Sequence, residues 1–407
     1  MEIGTAAPTI SGGSIGVTQE KLWPFRVNWD EQVVEQIEYR TDIFETRSGR
    51  EQRRALRLNP RYKYEVSTWA AEDQLQRLNR LIRGRGGQEF IFWHPVDWVE
   101  LQDIGPVGGT SLLCDLPAWA IEGGYIVLDD GVKREVCRIN TTTISSININ
   151  GGLLNEFAAG DTKIRRAFAG RLDQPFNVDM LTNRVGAFKV NVSVDPQGNY
   201  TDDEGSAAAT FDGRELFLSK PNWIQPVNFD IDFGRETIDY GQGRIAHGLP
   251  KNTYKMLRKA TFMGRSRDQI SDMVAFFRRM KGQRGEFYAP SLVDDITASS
   301  ISGGYVNVDG LELYRMMKDD VTAKALFARK SDGSYLVSKV SAVANNSGNT
   351  RLTLTTSWGT VAVNTIKSIS VLLLWRFASD TLTVDWLNSR TANMVLSMRS
   401  LENQASE

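Results

Sequence analysis

The chain has 407 residues, 41% hydrophobic and 10% aromatic, with 48 basic against 49 acidic side chains and a formal net charge of −1. Such a chain is long enough for two or more domains with their own cores and is not disordered, and its balanced charge excludes a globally basic binder of nucleic acid or anionic membrane. No apolar run approaches the roughly 20 residues that span a bilayer, and residues 1–16 lack the basic and apolar parts of a secretory signal.

In chain order, residues 1–20 are rich in Gly, Thr and Ser and are expected to form an N-terminal arm. Residues 33–44 mix alternating apolar and polar side chains with β-branched and aromatic ones, a strand pattern. The basic cluster Arg47, Arg50, Arg53, Arg54, Arg57 and Arg61 is interleaved with Glu45 and Glu51 and lacks aromatic residues for base stacking. It reads as a solvated surface or a charge-matched protein contact rather than a phosphate grip. Leu75, Leu78, Leu81 and Ile82 give a helix one apolar face. Gly84-Arg85-Gly86-Gly87 follows that helix, whereas a phosphate-cradling loop precedes one, so it reads as a helix stop. The aromatic strand after it, with Phe90, Phe92, Trp93 and Trp98, is expected in a core or domain interface. Residues 100–163 change texture to short strands with Asp-Gly and Asn-Gly turns, as in a small inserted all-β domain. Cys114 and Cys137 lie there and read as reduced, half-buried thiols of a protein made in the cytoplasm. Residues 164–194 return to the first unit, which begins at residue 21, and 195–210 form a polar linker.

Much of this recurs. Asn28-Trp29 returns as Asn222-Trp223, and Gly49-Arg50 as Gly243-Arg244, each 194 residues later. Asp73-Gln74-Leu75 matches Asp268-Gln269-Ile270, and Phe92-Trp93-His94-Pro95 matches Phe287-Tyr288-Ala289-Pro290, each 195 later. Val178-Asp179-Met180-Leu181 matches Val384-Asp385-Trp386-Leu387, 206 later, so eleven extra residues fall between Pro290 and Val384. There Asp332-Gly333 separates two strand-like runs, as Asp130-Gly131 does in the first half. Landmarks in register predict a tandem duplication. The second unit covers 211–295 and 371–401, its inserted all-β domain 296–370, and a C-terminal tail 402–407. In its helix Ser266 is the expected N-cap, Ile270, Met273, Val274, Phe277 and Met280 form the apolar face, and Gly282 the left-handed stop. The expected fold class is α+β, predominantly antiparallel β: two tandem β-sandwich units, each with one flanking helix and an inserted β domain.

Chemistry-bearing patterns are sparse. His94 and His247 do not occupy equivalent places, since Ala289 stands where His94 is expected to recur. Neither zinc nor EF-hand spacing occurs, nor a nucleophile elbow, Walker loop or dinucleotide fingerprint. Asp129-Asp130, Asp202-Asp203 and Asp294-Asp295 are neighbours in turns, whereas a glycosidase pair converges from separate elements. The expectation is no catalytic, cofactor-binding or metal residue, no cofactor, and no enzyme.

Glu38-Tyr39-Arg40-Thr41-Asp42-Ile43, Ser48-Gly49-Arg50-Glu51-Gln52-Arg53, Arg61-Tyr62 and Phe92-Trp93-His94-Pro95-Val96-Asp97, with the helix between them, resemble the distal tail (tail-tip, baseplate) proteins of long-tailed bacteriophages and gene transfer agents. The second half keeps Pro221-Asn222-Trp223, Gly243-Arg244 and the helix but little of the arginine-rich stretch. The resemblance implies tail-tube-like units and a structural virion protein, assembled in the host cytoplasm. Such a protein forms a ring between the tail tube protein and the hub, and DNA crosses its lumen without specific binding or membrane insertion. Three two-unit chains are expected to make a pseudo-six-fold homo-oligomer; six chains, with one unit facing outward, is the alternative. A rival reading is a baseplate or side-fibre attachment protein whose inserted domains bind a host glycan or another tail protein.

Overall fold

A computed structural model describes residues 21–46, 50–85, 88–173, 177–194, 205–207, 209–232, 236–241, 243, 245–248, 255–318 and 324–401. The whole expected arm, most of the linker with its Asp202-Asp203 pair, Arg47, Gly49, Gly86-Gly87, Arg244 and the tail lie outside them.

The first half runs β1 (Val33–Glu45), β2 (Glu51–Ala71), α1 (Asp73–Arg85), β3 (Phe90–Glu100), β4 (Ser111–Leu113), β5 (Tyr125–Asp129), β6 (Arg134–Thr142), β7 (Ser146–Ile149), β8 (Lys163–Leu172), β9 (Val178–Met180) and β10 (Val185–Val194). The second half runs β11 (Thr210–Phe211), β12 (Arg214–Leu216), β13 (Asn228–Asp232), β14 (Glu236–Asp239), β15 (Ile245–Gly248), β16 (Lys255–Gly264), α2 (Arg267–Met280), β17 (Phe287–Pro290), β18 (Ser300–Ser302) and β19 (Tyr305–Val308). It continues through α3 (Glu312–Met317), β20 (Ala325–Lys330), β21 (Tyr335–Asn346), β22 (Asn349–Leu354), β23 (Ile366–Phe377), β24 (Thr381–Trp386) and β25 (Ala392–Ser400). The fold is α+β and mostly antiparallel β. No helix among the described residues is long and apolar enough to cross a membrane.

Both halves use one pairing scheme. Val34 opposite Glu65 in β1–β2 has its counterpart in Asn228 opposite Lys259 in β13–β16, each residue 194 further on. Glu45 opposite Glu51 corresponds in the same way to Asp239 opposite Ile245 in β14–β15. Phe188 opposite Thr68 corresponds to Met394 opposite Phe262, and Val178 opposite Phe188 to Val384 opposite Met394. The added strands follow suit. β5 pairs with β6 and β8 as β20 pairs with β21 and β23, and β7 lies between β4 and β6 as β22 lies between β19 and β21. Even the bulge recurs, between Ile139 and Thr141 and between Val340 and Ala342. The β5–β6 and β20–β21 turns carry Gly131 at φ +91° and Gly333 at φ +90°, a left-handed conformation that glycine adopts without a Cβ clash.

Three features depart from expectation. Phe90, not Phe92, is the register counterpart of Phe287, because Phe90 opposite Gly170 matches Phe287 opposite Trp375 in a scheme where Arg171 and Arg376 also correspond. Ala289 therefore answers Phe92, not His94; a slip of two residues preserves the alternation of faces, so the sequence pattern does not reveal it. The second inserted segment also carries a short helix, α3. Finally, the left-handed stop of α2 is Lys281 at φ 52°, followed by Gly282 at φ 66° and a 3-10 turn, Gly282–Arg284. Ser266 caps the N-terminus as expected, its Oγ accepting from the Gln269 amide at 3.3 Å.

Eight strands form one antiparallel ribbon in the order β9–β10–β2–β1–β24–β25–β16–β13. Alternation gives it two unlike faces. One buries Val33, Ile37, Phe188, Val190, Leu382, Val384, Leu396 and Phe262 in a core that also takes Leu78 and Leu81 of α1 and Ile270, Val274 and Phe277 of α2. The other carries Gln36, Lys63, Glu65, Lys189, Asn191, Asp385 and Lys259, none of them buried. The first inserted segment has a separate core around Leu112, Ile126 and Phe157, in which Cys114 and Cys137 are unbridged and buried rather than half-buried as expected.

Candidate functional site at the seam between the two halves

The most elaborate polar constellation lies where β1 of the first half meets β24 of the second. The strands pair antiparallel over six positions, from Val33 opposite Trp386 to Glu38 opposite Thr381. Behind them Glu35, on the buried face of β1, accepts the Trp386 indole N–H at 3.1 Å and the Tyr64 hydroxyl at 3.1 Å. His94 accepts the Asp97 amide on Nδ1 at 2.9 Å, which leaves its Nε2 facing Glu35 Oε2 at 3.7 Å. Burial alone pushes the Glu35 carboxyl up. The His94 imidazole, the Trp386 N–H and the Arg278 charge together pull it down further, to about 2.

Along the seam the β1–β2 hairpin reaches over the second half and meets charge with charge. Arg376 grips Glu51 through two nitrogens, at 2.6 and 3.0 Å, and both side chains are almost fully buried. The fork geometry of guanidinium and carboxylate favours this pairing. Burial raises the Glu51 carboxyl, but Arg376, Arg399 and Arg53 lower it net. Arg53 pairs with Glu286 and donates to the Arg284 carbonyl at 3.0 Å. Glu45 takes Lys255 and, at 3.0 Å, Arg399. The Asp380 carboxylate accepts the Thr41 amide at 2.6 Å, the Thr41 hydroxyl at 2.9 Å and the Gln283 amide at 2.9 Å. Arg267 of α2 lies 4.8 Å over the Trp98 ring.

These contacts account for part of the basic cluster and the aromatic belt. Arg53 crosses the seam, and Arg57 stays within the hairpin on the Glu38 carbonyl at 2.9 Å. Arg50, Arg54 and Arg61 are exposed. Phe90, Phe92 and Trp93 are core, and Trp98 is at the interface. The seam also gathers residues that carried no signal in the sequence: Glu35, Asp380, Trp386 and Glu286 look like ordinary strand and turn residues until strands far apart in the chain come together.

The other candidates are committed elsewhere. Asp129 holds Arg134 at 3.1 Å and Arg165 at 3.0 Å, and Asp130 accepts the Val132 and Lys133 amides of its own turn. Asp294 and Asp295 accept the Ile369 amide at 2.9 Å and the Val371 amide at 2.7 Å. His247 is exposed on β15 with the Thr237 hydroxyl at 3.3 Å. Among the described residues no group of three or more His, Cys, Asp or Glu side chains could hold a metal ion.

Among the described residues the ribbon ends at β9 and β13, which pair only with β10 and β16 and are the register counterparts of the two strands joined at the seam. Their exposure inverts. Ile37 of β1 is 0% exposed and its counterpart Ile231 of β13 is 50% exposed; Trp386 of β24 is 5% exposed and Met180 of β9 is 52%. No family model and no curated protein matches this chain.

Proposed function

We propose that the chain is a structural building block of a ring, the distal tail protein of a long-tailed bacteriophage or gene transfer agent, carrying two descendants of one ancestral unit. The single observation that carries the ring is the seam. It joins two halves of like pairing scheme side by side through unlike edges, β1 to β24, and a contact of unlike surfaces propagates until it closes. Closure also removes exposed strand edges, which otherwise invite uncontrolled pairing. Three chains then set six similar halves around one axis, an adaptor between a six-fold tube above and three-fold tip parts below. The polar, mixed-charge face of the ribbon lines the channel in this reading, because the opposite face is occupied by the core and the helices. DNA slides past such a surface without a continuous basic track to hold it. The tail tip itself rests on the resemblance carried by residues 38–43, 48–53 and 92–97.

The test is gold labelling of particles released by a host that encodes the chain, with an antibody against the purified protein. Gold at the distal end of tails supports the assignment; gold on capsids, or particles without the chain, overturns it.

A further inference from the structure

We propose that β13 of one chain pairs with β9 of a second copy of the same chain, antiparallel and in the register of the chain's own seam; this rests on the ring of the reading above, not on its place in a tail. Within the chain Val33, Val34 and Glu35 oppose Trp386, Asp385 and Val384. The β1–β2 and β13–β16 registers make Asn228 and Phe229 the counterparts of Val34 and Glu35, and the same offset of 194, carried one residue back, makes Val227 that of Val33. The counterparts of the second three are Met180, Asp179 and Val178, fixed by β9–β10 and β24–β25. Val227 of one copy thus faces Met180 of the next, Asn228 faces Asp179, and Phe229 faces Val178.

Three observations support a second copy as the occupant. The two edges are the register counterparts of the strands that the chain already joins at its own seam, and their exposed apolar side chains, Ile231 and Met180, occupy positions that are buried there. Charge also corresponds: Glu45 holds Lys255 across the chain's seam, and the same positions carry Asp239 on one copy and Arg61 on the other, both exposed. The chemistry of the two seams differs where it should keep them distinct. Glu35 and Trp386 make a polar pair in the chain, whereas Phe229 and Met180 make an apolar one between chains. An unlike seam excludes mispairing of β1 with β9, which would bury the Glu35 carboxylate against Met180.

The test is a disulfide across the proposed seam. Directly opposed residues of antiparallel strands have Cα atoms about 4.5–5.5 Å apart, within disulfide range. In the chain's own sheet six strands, each about 4.8 Å from the next, separate β9 from β13, so Asp179→Cys and Asn228→Cys cannot join within one chain. The double variant under mild oxidation is expected to give a ladder of linked chains ending in a closed species, while each single variant stays at chain size. Arg61→Asp is expected to lower the yield about two- to fivefold, and adding Asp239→Arg to restore it. Unlinked double variant in a sample whose mass is multi-chain overturns this register and leaves the ring; unlinked and single-chain at every concentration overturns both. A full ladder from a chain that gold fails to find on tails upholds the seam and removes only the tail.

Discussion

Trp386 donates its indole N–H to the carboxylate of Glu35 at 3.1 Å, across 351 positions of chain and from one half of the molecule to the other. The acceptor is buried, charged, and held by an imidazole and a phenol besides the indole, so the seam carries a specific electrostatic lock on top of its strand pairing.

That lock gives an acid signature. Glu35 is held at about 2 in the folded chain, below the ordinary glutamate value near 4.3 of an unfolded one. Its stabilisation is therefore complete above roughly pH 4.5 and is lost as the pH falls from there towards 2. Urea midpoints measured across that window should fall more steeply for the native protein than for Glu35→Gln, which cannot titrate. Parallel curves for the two would contradict the assignment.

Gly282 stands at the same joint. Its φ is +66°, and a Cβ there would come within 2.5 Å of Asp380 Oδ1 and 3.2 Å of Tyr39 Cβ. Gly282→Ala is expected to cost about 1–3 kcal/mol, from the left-handed backbone and from displacing Asp380 off Thr41. The denaturation midpoint should drop with an unchanged slope; a neutral result would show that the joint yields freely.

Arg376 and Glu51 make the buried charge pair of the seam. Glu51→Leu leaves the guanidinium buried without its bidentate partner and is expected to cost about 3–5 kcal/mol. Adding Arg376→Met should recover most of that loss, because the double change removes both buried charges. Additive losses in the double variant would mean that the two groups act independently.

Burial pushes the Cys114 thiol up to about 11, and Cys137 upward as well. Thiol reagents should therefore leave both unmodified in the native protein at pH 8 and modify both after unfolding. Fast labelling of the native chain would show that the core of the first inserted segment is open.

Much of the fold is legible in the sequence because its signals are local. Asn28 and Asn222 recur because each does the same work: their side chains accept the Asp30 amide at 3.1 Å and the Ile224 amide at 3.2 Å, and their own amides reach β2 and β16. The faces of both helices and the Ser266 cap were legible for the same reason. The two-residue slip between Phe92 and Phe90 was not, since Phe90-Ile91-Phe92 offers two equivalent inward aromatics. Nor was the length of β2, whose outer half, with Arg54 and Leu58 exposed, shows no inward apolar run. The seam was invisible because Glu35 and Trp386, or Arg53 and Glu286, meet only through tertiary pairing. No periodicity records such a pair.

The most direct measurement is the number of chains in the assembled ring, from its rotational symmetry in electron micrographs together with its native mass. Three chains of 45.6 kDa, with six similar lobes around one axis, is the predicted result. A six-chain ring, or a chain that stays single at every concentration, would contradict the account.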